Sequence, residues 1–390
     1  MITVDDALTR LLALTSTLET ETVPLIEAAG RVLAQDVSAR RDQPPFAASA
    51  MDGYAMRADE VEQHSILKVV GEAAAGHSFD GEVKPGQAIR IFTGAPVPEG
   101  LDFVVIQEDV TRSGDLITIA NDPGTNSNIR ALGNDFTTGS KITAPRLLSP
   151  SDIALLASMN IATVQVTRRP QVALISTGDE LVMPGEDPGP DQIIASNTFG
   201  LKAMLDAMGA HARILPIARD TETSLRTAFD LAKGADLVIT IGGASVGDHD
   251  LVGKVAADLG MERSFYKVAM RPGKPLMAGR MQDAAMVGLP GNPVSAMVCG
   301  HIFIAPMIRS MLGLGTETSI PLRAPLSAPL LANGPRQHYM RAHLDKGQLC
   351  AFERQDSALL SVLATANALL IRPPHDPARE VGDVVDYLPI

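Results

Sequence analysis

The chain has 390 residues, a length that usually divides into more than one hydrophobic core. Its composition, 45% hydrophobic and 20% charged residues, is typical of a globular protein. The formal net charge of −12 argues against a nucleic-acid partner, because duplex binding depends on clustered lysine and arginine. The acidic N-terminus differs from a signal peptide, no run of 18 apolar residues is present, and the two cysteines lie outside any metal-ligand spacing. We therefore expect a cytoplasmic protein without a membrane partner.

Helical patterns at the two ends of the N-terminal part enclose a β-rich block. Thr3 and Asp6 have the spacing of a helix cap, and leucines continue at helical spacing over residues 4–18. Ser149 and Pro150 are the residue types that begin a second helix. Between the two helices, short strands are predicted at residues 66–70, 88–92, 103–107 and 116–119.

Strand and helix patterns alternate after residue 170, which is typical of a parallel sheet covered by helices on both faces. Gly209 and Gly234 follow two of the helical patterns at the position that favours a left-handed backbone. From residue 321 the helical spacing disappears, and four short extended runs follow. The strands are predicted at residues 172–176, 237–241 and 285–289, and the helices at residues 198–208, 221–233 and 294–312.

These patterns divide the chain into four predicted domains. They are a helical linking domain of residues 1–45 and 145–169, an inserted β-rich domain of residues 46–144, an α/β domain of residues 170–318, and a small β domain of residues 319–390.

Three loops follow the predicted strands of the α/β domain, at residues 177–180, 242–250 and 290–293. Because the carboxyl ends of parallel strands meet at one edge of a sheet, ligands bind there. Glycines in the second loop permit close approach of the backbone to phosphate, and its Ser245 can donate a hydrogen bond. Its Asp248 and Asp250 can either hold Mg²⁺ or cap the following helix.

Three cations, Lys267, Arg271 and Lys274, occur within eight residues without an intervening acid. In an acidic chain such a cluster stands out, and the Pro272-Gly273 pair constrains the backbone beside Lys274. Together with the glycine loops, the cluster predicts an anion site.

Two motifs allow more than one interpretation. Residues 243–247 match the G-x-S-x-G pattern of a hydrolase, in which Ser245 would be the nucleophile. In such an enzyme the helix follows the serine at once, whereas helical spacing resumes here only near Leu251, so the phosphate interpretation is favoured. Asp52-Gly53 and Thr93-Gly94, taken alone, favour hairpin turns.

Six motifs, in order along the chain, resemble the molybdopterin molybdenumtransferases, the family that includes bacterial MoeA and the E domain of gephyrin. The motifs are residues 50–55 (AMDGYA), 93–98 (TGAPVP), 176–181 (STGDEL), 242–248 (GGASVGD), 271–275 (RPGKP) and 289–296 (LPGNPVSA). The resemblance implies a multidomain α/β plus β fold: a central parallel-sheet α/β molybdopterin-binding domain, an inserted β-rich domain, a helical linking domain and a C-terminal small β-barrel.

The resemblance also implies a reaction. A homodimer would bind adenylylated molybdopterin and molybdate in a cleft between the α/β domain of one subunit and the inserted domain of the other. With Mg²⁺, it would insert molybdenum and release AMP. The molybdopterin adenylyltransferase is a possible partner. A non-catalytic scaffold that binds the cofactor is the alternative from another functional class.

Site residues are carried over from the matching motifs. The implied catalytic residues are Asp52, Thr93, Glu180, Asp220, Asp250, Lys267, Arg271 and Lys274. The implied binding residues are Gly242, Gly243, Ser245, Gly247, Pro290, Gly291, Asn292, Pro293, Arg341 and Ser357, with Arg341 and Ser357 at the oxyanion. The implied metal ligands are Asp135, Asp248 and Asp250.

Overall fold

Four larger β-sheets organise the computed structural model, which describes residues 1–243, 251–316 and 320–390. Shorter elements connect the sheets. The short strand pairs are Val37–Ser38 with Lys141–Ile142, Ala48–Ser49 with Ile129–Arg130, and Leu181–Val182 with Ile193–Ile194. The 3₁₀ turns are Leu25–Glu27, Ala58–Glu60 and Gln107–Asp109.

The first sheet joins segments that are far apart in the sequence. Its strands are, in order, Thr20–Pro24, Thr163–Thr167, Val32–Leu33 and Arg146–Leu147. The outer pair is antiparallel, with Thr20 opposite Thr167. Residues on both sides of the β-rich block therefore share one sheet, as expected if that block is an insertion.

Two helices of the N-terminal part begin with a side-chain cap. The helix Pro150–Ser158 begins with a reciprocal capping box, in which Ser149 accepts from the Asp152 amide and Asp152 accepts from the Ser149 amide. The N-terminal helix, Val4–Leu12, is shorter than predicted. It ends at Leu12 because the Thr15 hydroxyl donates to the Leu12 carbonyl, and the chain then bonds to Met311 through the Leu18 amide.

The inserted block forms a six-stranded sheet, and all four strands predicted there are present. The order is Phe103–Ile106, Gly53–Met56, Gln87–Ile91, Ile66–Ala73, Leu116–Ile119 and Val110–Ser113. The turn interpretation of Asp52-Gly53 is wrong, because Gly53 begins an inner strand and lies opposite both Ile91 and Ile106. A Cβ atom at Gly53 would lie 2.0 Å from the Val105 carbonyl oxygen, so close strand packing requires glycine here.

The central sheet has six strands, of which the first four are parallel; three of these four were predicted, and His211–Ile214 was not. Their order is His211–Ile214, Gln171–Ser176, Leu237–Ile241, Ala284–Leu289, Met277–Met281 and Met261–Tyr266. The last two strands are antiparallel and were not predicted, so the sheet is mixed. Their charged, partly exposed residues, including Glu262 and Arg280, conceal the strand pattern.

Both faces of the central sheet are buried. Along one strand, Val172 and Leu174 pack on the face covered by the helix Asn197–Ala207, whereas Ala173 and Ile175 pack on the opposite face. The helices Glu222–Leu231 and Leu251–Asp258 cover that opposite face. Burial on two sides explains why these strands are continuous apolar runs.

The helix predicted at residues 294–312 has three parts: Pro293–Cys299, a π-helical turn Gly300–Ile304, and Ala305–Met311. Pro306 lacks an amide hydrogen for the helical ladder, which favours a widened turn before it. Among the described residues, only Pro293–Met311 is long and apolar enough to span a membrane, but 78% of its apolar window is buried within the protein. A core helix meets the same criteria.

The last sheet closes into a small barrel. Its strands are, in order, Met270–Arg271, Gln337–Asp345, Ala368–Arg372, Val384–Pro389 and Leu322–Pro325, with Gln348–Ala351 pairing with Gln337–Asp345. A bridge between Leu326 and Leu349 joins the two ends. A short helix, Leu360–Thr365, was not predicted. We propose that the four larger sheets are the cores of the four predicted domains.

Candidate functional site

A cavity of about 560 Å³ lies at the carboxyl ends of the central strands. All three predicted loops contribute to it. The residues of the three loops that line it are Thr177, Gly178, Glu180, Gly242, Gly243, Pro290, Gly291, Asn292 and Pro293. Asp220 also lines the cavity. The three loops therefore meet in one cavity at this edge of the sheet.

Two glycines bring the backbone close to the cavity floor. Gly242 and Gly243 have positive φ angles of 93° and 64°. A Cβ atom at Gly242 would lie 2.7 Å from the Thr177 carbonyl oxygen, and one at Gly243 would lie 2.3 Å from a Val252 methyl group. Both sites therefore combine a backbone conformation that favours glycine with insufficient space for a side chain.

Glu180 and Asp220 place two carboxylates on the cavity wall. Desolvation at this wall raises the pKa of Asp220, and the negative charges of Asp179 and Glu180 raise it further. The pair is therefore an acidic site that a bound cation would stabilise. No group of three or more histidine, cysteine or acidic residues in the described ranges has the geometry of a complete metal site.

The loop Pro290–Pro293 connects the cavity to the barrel. The Asn292 side-chain amide donates to the Ser357 hydroxyl at 3.2 Å, and the Val294 amide donates to the Ser357 carbonyl at 3.0 Å. On the other side, the Asn197 amide donates to the Gly291 carbonyl at 2.7 Å. Ser357 therefore meets the predicted cavity loop, as expected, and its neighbour Ala358 lines the cavity.

Arg341 is fully buried in the barrel, yet its guanidinium is only partly bonded. Its Nη2 donates to the Asp356 carbonyl at 2.9 Å and approaches the Arg354 carbonyl at 3.5 Å. The Nε and Nη1 atoms are buried without a hydrogen-bond partner. Burial lowers the pKa of Arg341, and the charge of Arg271 lowers it further. Arg341 thus has two donors available in an electropositive environment.

His338 lies in the same environment. It is opposite Arg271 on one neighbouring strand and opposite Arg372 on the other. Burial, together with the charges of Arg271 and three further arginines, lowers the pKa of His338 to about 4. The structure thus unites Arg271 with Arg341 around a neutral imidazole, an arrangement that the sequence did not predict.

Neither Arg341 nor any cation of the predicted cluster (Lys267, Arg271 and Lys274) lines the cavity, although Pro275, next to Lys274, does. Lys267 has a positive φ of 75°, and its ammonium lies 5.4 Å from the centre of the Tyr266 ring. Lys274 is exposed, and its carbonyl accepts from the Val268 amide.

The predicted residues of the inserted block lie away from the cavity lining. Both the amide and the hydroxyl of Thr93 donate to Asp52 Oδ1 at 2.8 Å. The bond from the Thr93 amide makes the largest contribution to lowering the pKa of Asp52, and the bond from the Thr93 hydroxyl lowers it further. Asp135 is exposed and bonds through its amide to the Gln43 carbonyl. Neither Asp52, Thr93 nor Asp135 lines the cavity of its own chain.

Four predicted residues, Ser245, Gly247, Asp248 and Asp250, lie outside the described residues. The hydrolase interpretation of Ser245 and the metal-ligand assignments of Asp248 and Asp250 therefore stay predictions.

Thr177 and Arg219 were missing from the predicted site. Thr177 lines the cavity, and its hydroxyl is buried without a hydrogen-bond partner. Arg219 bonds to the carbonyl oxygens of the loop that carries Glu180. The sequence offered one signal for each residue: Thr177 belongs to the predicted loop 177–180, and Arg219 precedes the predicted Asp220.

Comparisons with known proteins agree with this arrangement. Three family models match: "MoeA N-terminal region (domain I and II)" over residues 2–160, "Probable molybdopterin binding domain" over residues 173–310, and "MoeA C-terminal region (domain IV)" over residues 323–390. A molybdopterin molybdenumtransferase of Haemophilus influenzae is 40% identical, over 80% of this chain and 78% of that protein.

Two further relatives cover even more of the chain. A molybdopterin molybdenumtransferase of a Nostoc species is 37% identical, over 91% of this chain and 85% of that protein. The crystal structure of the molybdopterin biosynthesis MoeA protein of Pyrococcus horikoshii superposes with a TM-score of 0.85 at 27% identity, and each chain is fully covered. Thus, as its motifs suggest, the chain belongs to the molybdopterin molybdenumtransferase (MoeA) family of molybdenum cofactor biosynthesis.

Proposed function

We propose that the chain inserts molybdenum from molybdate into adenylylated molybdopterin and releases AMP. Arg341 carries the proposal: its Nε and Nη1 donors are buried without partners, and its Nη2 bonds to the segment that leads to Ser357 and the cavity rim. A buried charge with unused donors is costly. A bound oxyanion would supply both the counter-charge and the missing acceptors, and molybdate is such an oxyanion.

The cavity supports the part of the proposal that concerns binding of adenylylated molybdopterin. Its volume of about 560 Å³ falls within the range of small-molecule sites. Gly242 and Gly243 line the cavity, and their backbone can approach phosphate oxygens there. We therefore place the phosphate-bearing part of the substrate over the glycines, with molybdate toward Arg341, Arg271 and Ser357. Lys267 and Lys274 would contribute positive charge to that side.

A divalent cation fits the acidic wall. Glu180 and Asp220 supply oxygen ligands of the kind that Mg²⁺ prefers, and their mutual repulsion would fall when a cation binds. We propose that these two carboxylates hold Mg²⁺ together with Asp248 and Asp250. When bound, Mg²⁺ offsets the charge of a phosphoanhydride.

We further propose that the active unit is a homodimer. Asp52 and Thr93 are organised by their mutual hydrogen bonds although they do not line the cavity of their own chain. A second subunit would bring this pair, with Asp135, to the open side of the cavity. We also propose a cytoplasmic location, with the molybdopterin adenylyltransferase as the partner that supplies the substrate.

The test supplies the purified chain with adenylyl-molybdopterin and Mg²⁺ and follows AMP release with and without molybdate. We expect release that depends on molybdate and decreases at least tenfold in Asp220→Asn. Arg226→Met, which breaks an exposed ion pair with Asp258, serves as the control and should retain full activity. If adenylyl-molybdopterin binds but no AMP appears with molybdate, the chain is a binding scaffold and the proposal is wrong. Fluorophosphonate labelling of Ser245 would instead support the hydrolase alternative, and failure of Ser245 to label would remove it.

A further inference from the structure

Two loops carry the acidic pair of the cavity, and backbone bonds hold the loops side by side. The Gly178 amide donates to the Ala218 carbonyl at 3.1 Å, and the Ala218 amide donates to the Ser176 carbonyl at 2.9 Å. Glu180 follows this contact in one loop, and Asp220 follows it in the other. The backbone therefore places the two carboxylates close to each other at the cavity wall.

Arg219 connects the loops a second time through its side chain. Its Nη1 lies 2.9 Å from the Asp179 carbonyl oxygen, 3.1 Å from that of Leu181 and 3.4 Å from that of Gly178. These three carbonyls surround Glu180 in the sequence. One guanidinium therefore fixes the backbone on both sides of a cavity carboxylate.

The contact is reciprocal. The Asp179 carboxylate accepts from the Asp220 amide at 3.2 Å, and the Arg219 amide is itself held by the Ser224 hydroxyl at 2.9 Å. Each loop thus contributes one side chain that bonds to the backbone of the other. This pair of contacts, Arg219 to residues 178–181 and Asp179 to Asp220, is called the loop clamp below.

Gly178 completes the arrangement. A Cβ atom at this position would lie 2.4 Å from Glu180 Oε2, and the glycine φ is 147°. The Glu180 carboxylate therefore folds back over its own loop against Gly178, whose positive φ favours glycine. The negative charge of Glu180 still acts on Asp220, whose pKa is raised by desolvation, by Asp179 and by Glu180.

We propose that Arg219 is a positioning residue, which holds Glu180 and Asp220 together against their repulsion so that the cavity presents a preformed pair of acidic ligands. This inference rests on the proposed function only in the identity of the ligand that Glu180 and Asp220 bind. Arg219 does not line the cavity, and among the described residues its side chain acts through the three carbonyls. Because the side chain is exposed, its removal leaves no buried void, and the variants should fold.

The test compares Arg219→Met, which keeps the aliphatic stem, with Arg219→Lys and with the matched control Arg226→Met. Arg226 lies in the next helix and bonds only to the exposed Asp258 within the described residues. Hydrogen exchange is measured on peptides that span residues 176–182 and 216–222. We expect exchange at least tenfold faster in Arg219→Met, an intermediate rate in Arg219→Lys, and no change in Arg226→Met.

AMP release is measured on the same proteins. We expect the kcat of Arg219→Met to decrease at least tenfold, with partial recovery in Arg219→Lys and a melting temperature within a few degrees of wild type. Unchanged exchange in Arg219→Met overturns the inference, and so does a wild-type kcat in that variant. If Arg219→Met shows fast local exchange but the wild-type protein releases no AMP, the result supports the loop clamp and contradicts only the proposed function.

Discussion

Asn292 of the cavity loop donates a hydrogen bond of 3.2 Å to Ser357 of the barrel. This bond joins the central sheet, which forms the cavity, to the barrel, which holds Arg341. The two halves of the proposed substrate, a phosphate-bearing pterin and an oxyanion, would therefore bind on opposite sides of one contact.

Replacing Ser357 with alanine should remove this link without unfolding the protein. A neutral hydrogen bond contributes about 1 kcal/mol, so we expect the KM for molybdate to rise about fivefold. The matched control is Ser327→Ala, since the Ser327 hydroxyl bonds the Leu349 carbonyl within the barrel, away from the cavity. Equal KM values for the two variants, measured by AMP release, would show that the link is irrelevant to molybdate.

Gly243→Ala should be far more harmful than Gly30→Ala. Both glycines have positive φ angles, 64° and 72°, but a Cβ atom at Gly30 meets nothing within 4 Å, whereas at Gly243 it overlaps Val252. The backbone penalty alone costs about 1 kcal/mol, and overpacking adds about 1–3 kcal/mol. Denaturant unfolding measures both variants. Similar losses would mean that the loop moves aside freely.

His338→Gln should make the protein more resistant to acid. The folded-state pKa of about 4 lies below the ordinary value of 6.5, so the unfolded chain binds a proton first as the pH falls. Stability is then lost between pH 6.5 and 4, by up to about 3 kcal/mol. The His338→Gln variant has no imidazole at this position and should therefore not lose this stability. His343→Gln, an exposed position on the same strand, is the control in denaturant unfolding at each pH.

Wild type and His338→Gln should therefore differ in the pH dependence of unfolding only over that interval. Parallel curves for the two proteins would show that burial and the surrounding arginines do not lower the pKa of His338.

Thr93→Ala should raise the pKa of Asp52 toward its ordinary value of 3.8, because the variant loses the hydroxyl bond but keeps the amide bond. A depressed carboxyl pKa stabilises the fold above pH 3.8, and this contribution disappears as the pH falls through the lower folded value. Carbon NMR of the Asp52 carboxyl reports the titration. An identical midpoint in both proteins would rule out a role for the Thr93 hydroxyl.

Much of the fold is local enough to be predicted from the sequence. The strands Leu116–Ile119 and Leu237–Ile241 have the predicted bounds, because their apolar patterns reflect burial. The two antiparallel strands of the central sheet were missed, since Glu262, Arg263 and Arg280 interrupt the pattern. Arg271 pairs with Gln337–Asp345, which is distant in the sequence, so its place beside His338 was not predictable.

The site was predictable where glycine and proline motifs form loops, and not where side chains bond to the backbone. Gly242, Gly243 and residues 290–293 line the cavity as their motifs predicted. Arg219 bonds carbonyl oxygens, which every residue has, so its partners leave no pattern in the sequence. Nearness in the sequence was also misleading, because the exposed Lys274 does not line the cavity that its neighbour Pro275 lines.

The central claim, that Arg341 binds an oxyanion, is tested most directly by calorimetric titration of molybdate into wild type, Arg341→Lys and the control Arg323→Lys, whose guanidinium lies on the surface near Asp386. Losing the paired donors of the guanidinium should weaken binding at least tenfold in Arg341→Lys at an unchanged melting temperature, with wild-type affinity in Arg323→Lys. Equal molybdate affinity in wild type and Arg341→Lys, or no binding by wild type with adenylyl-molybdopterin present, would contradict the account.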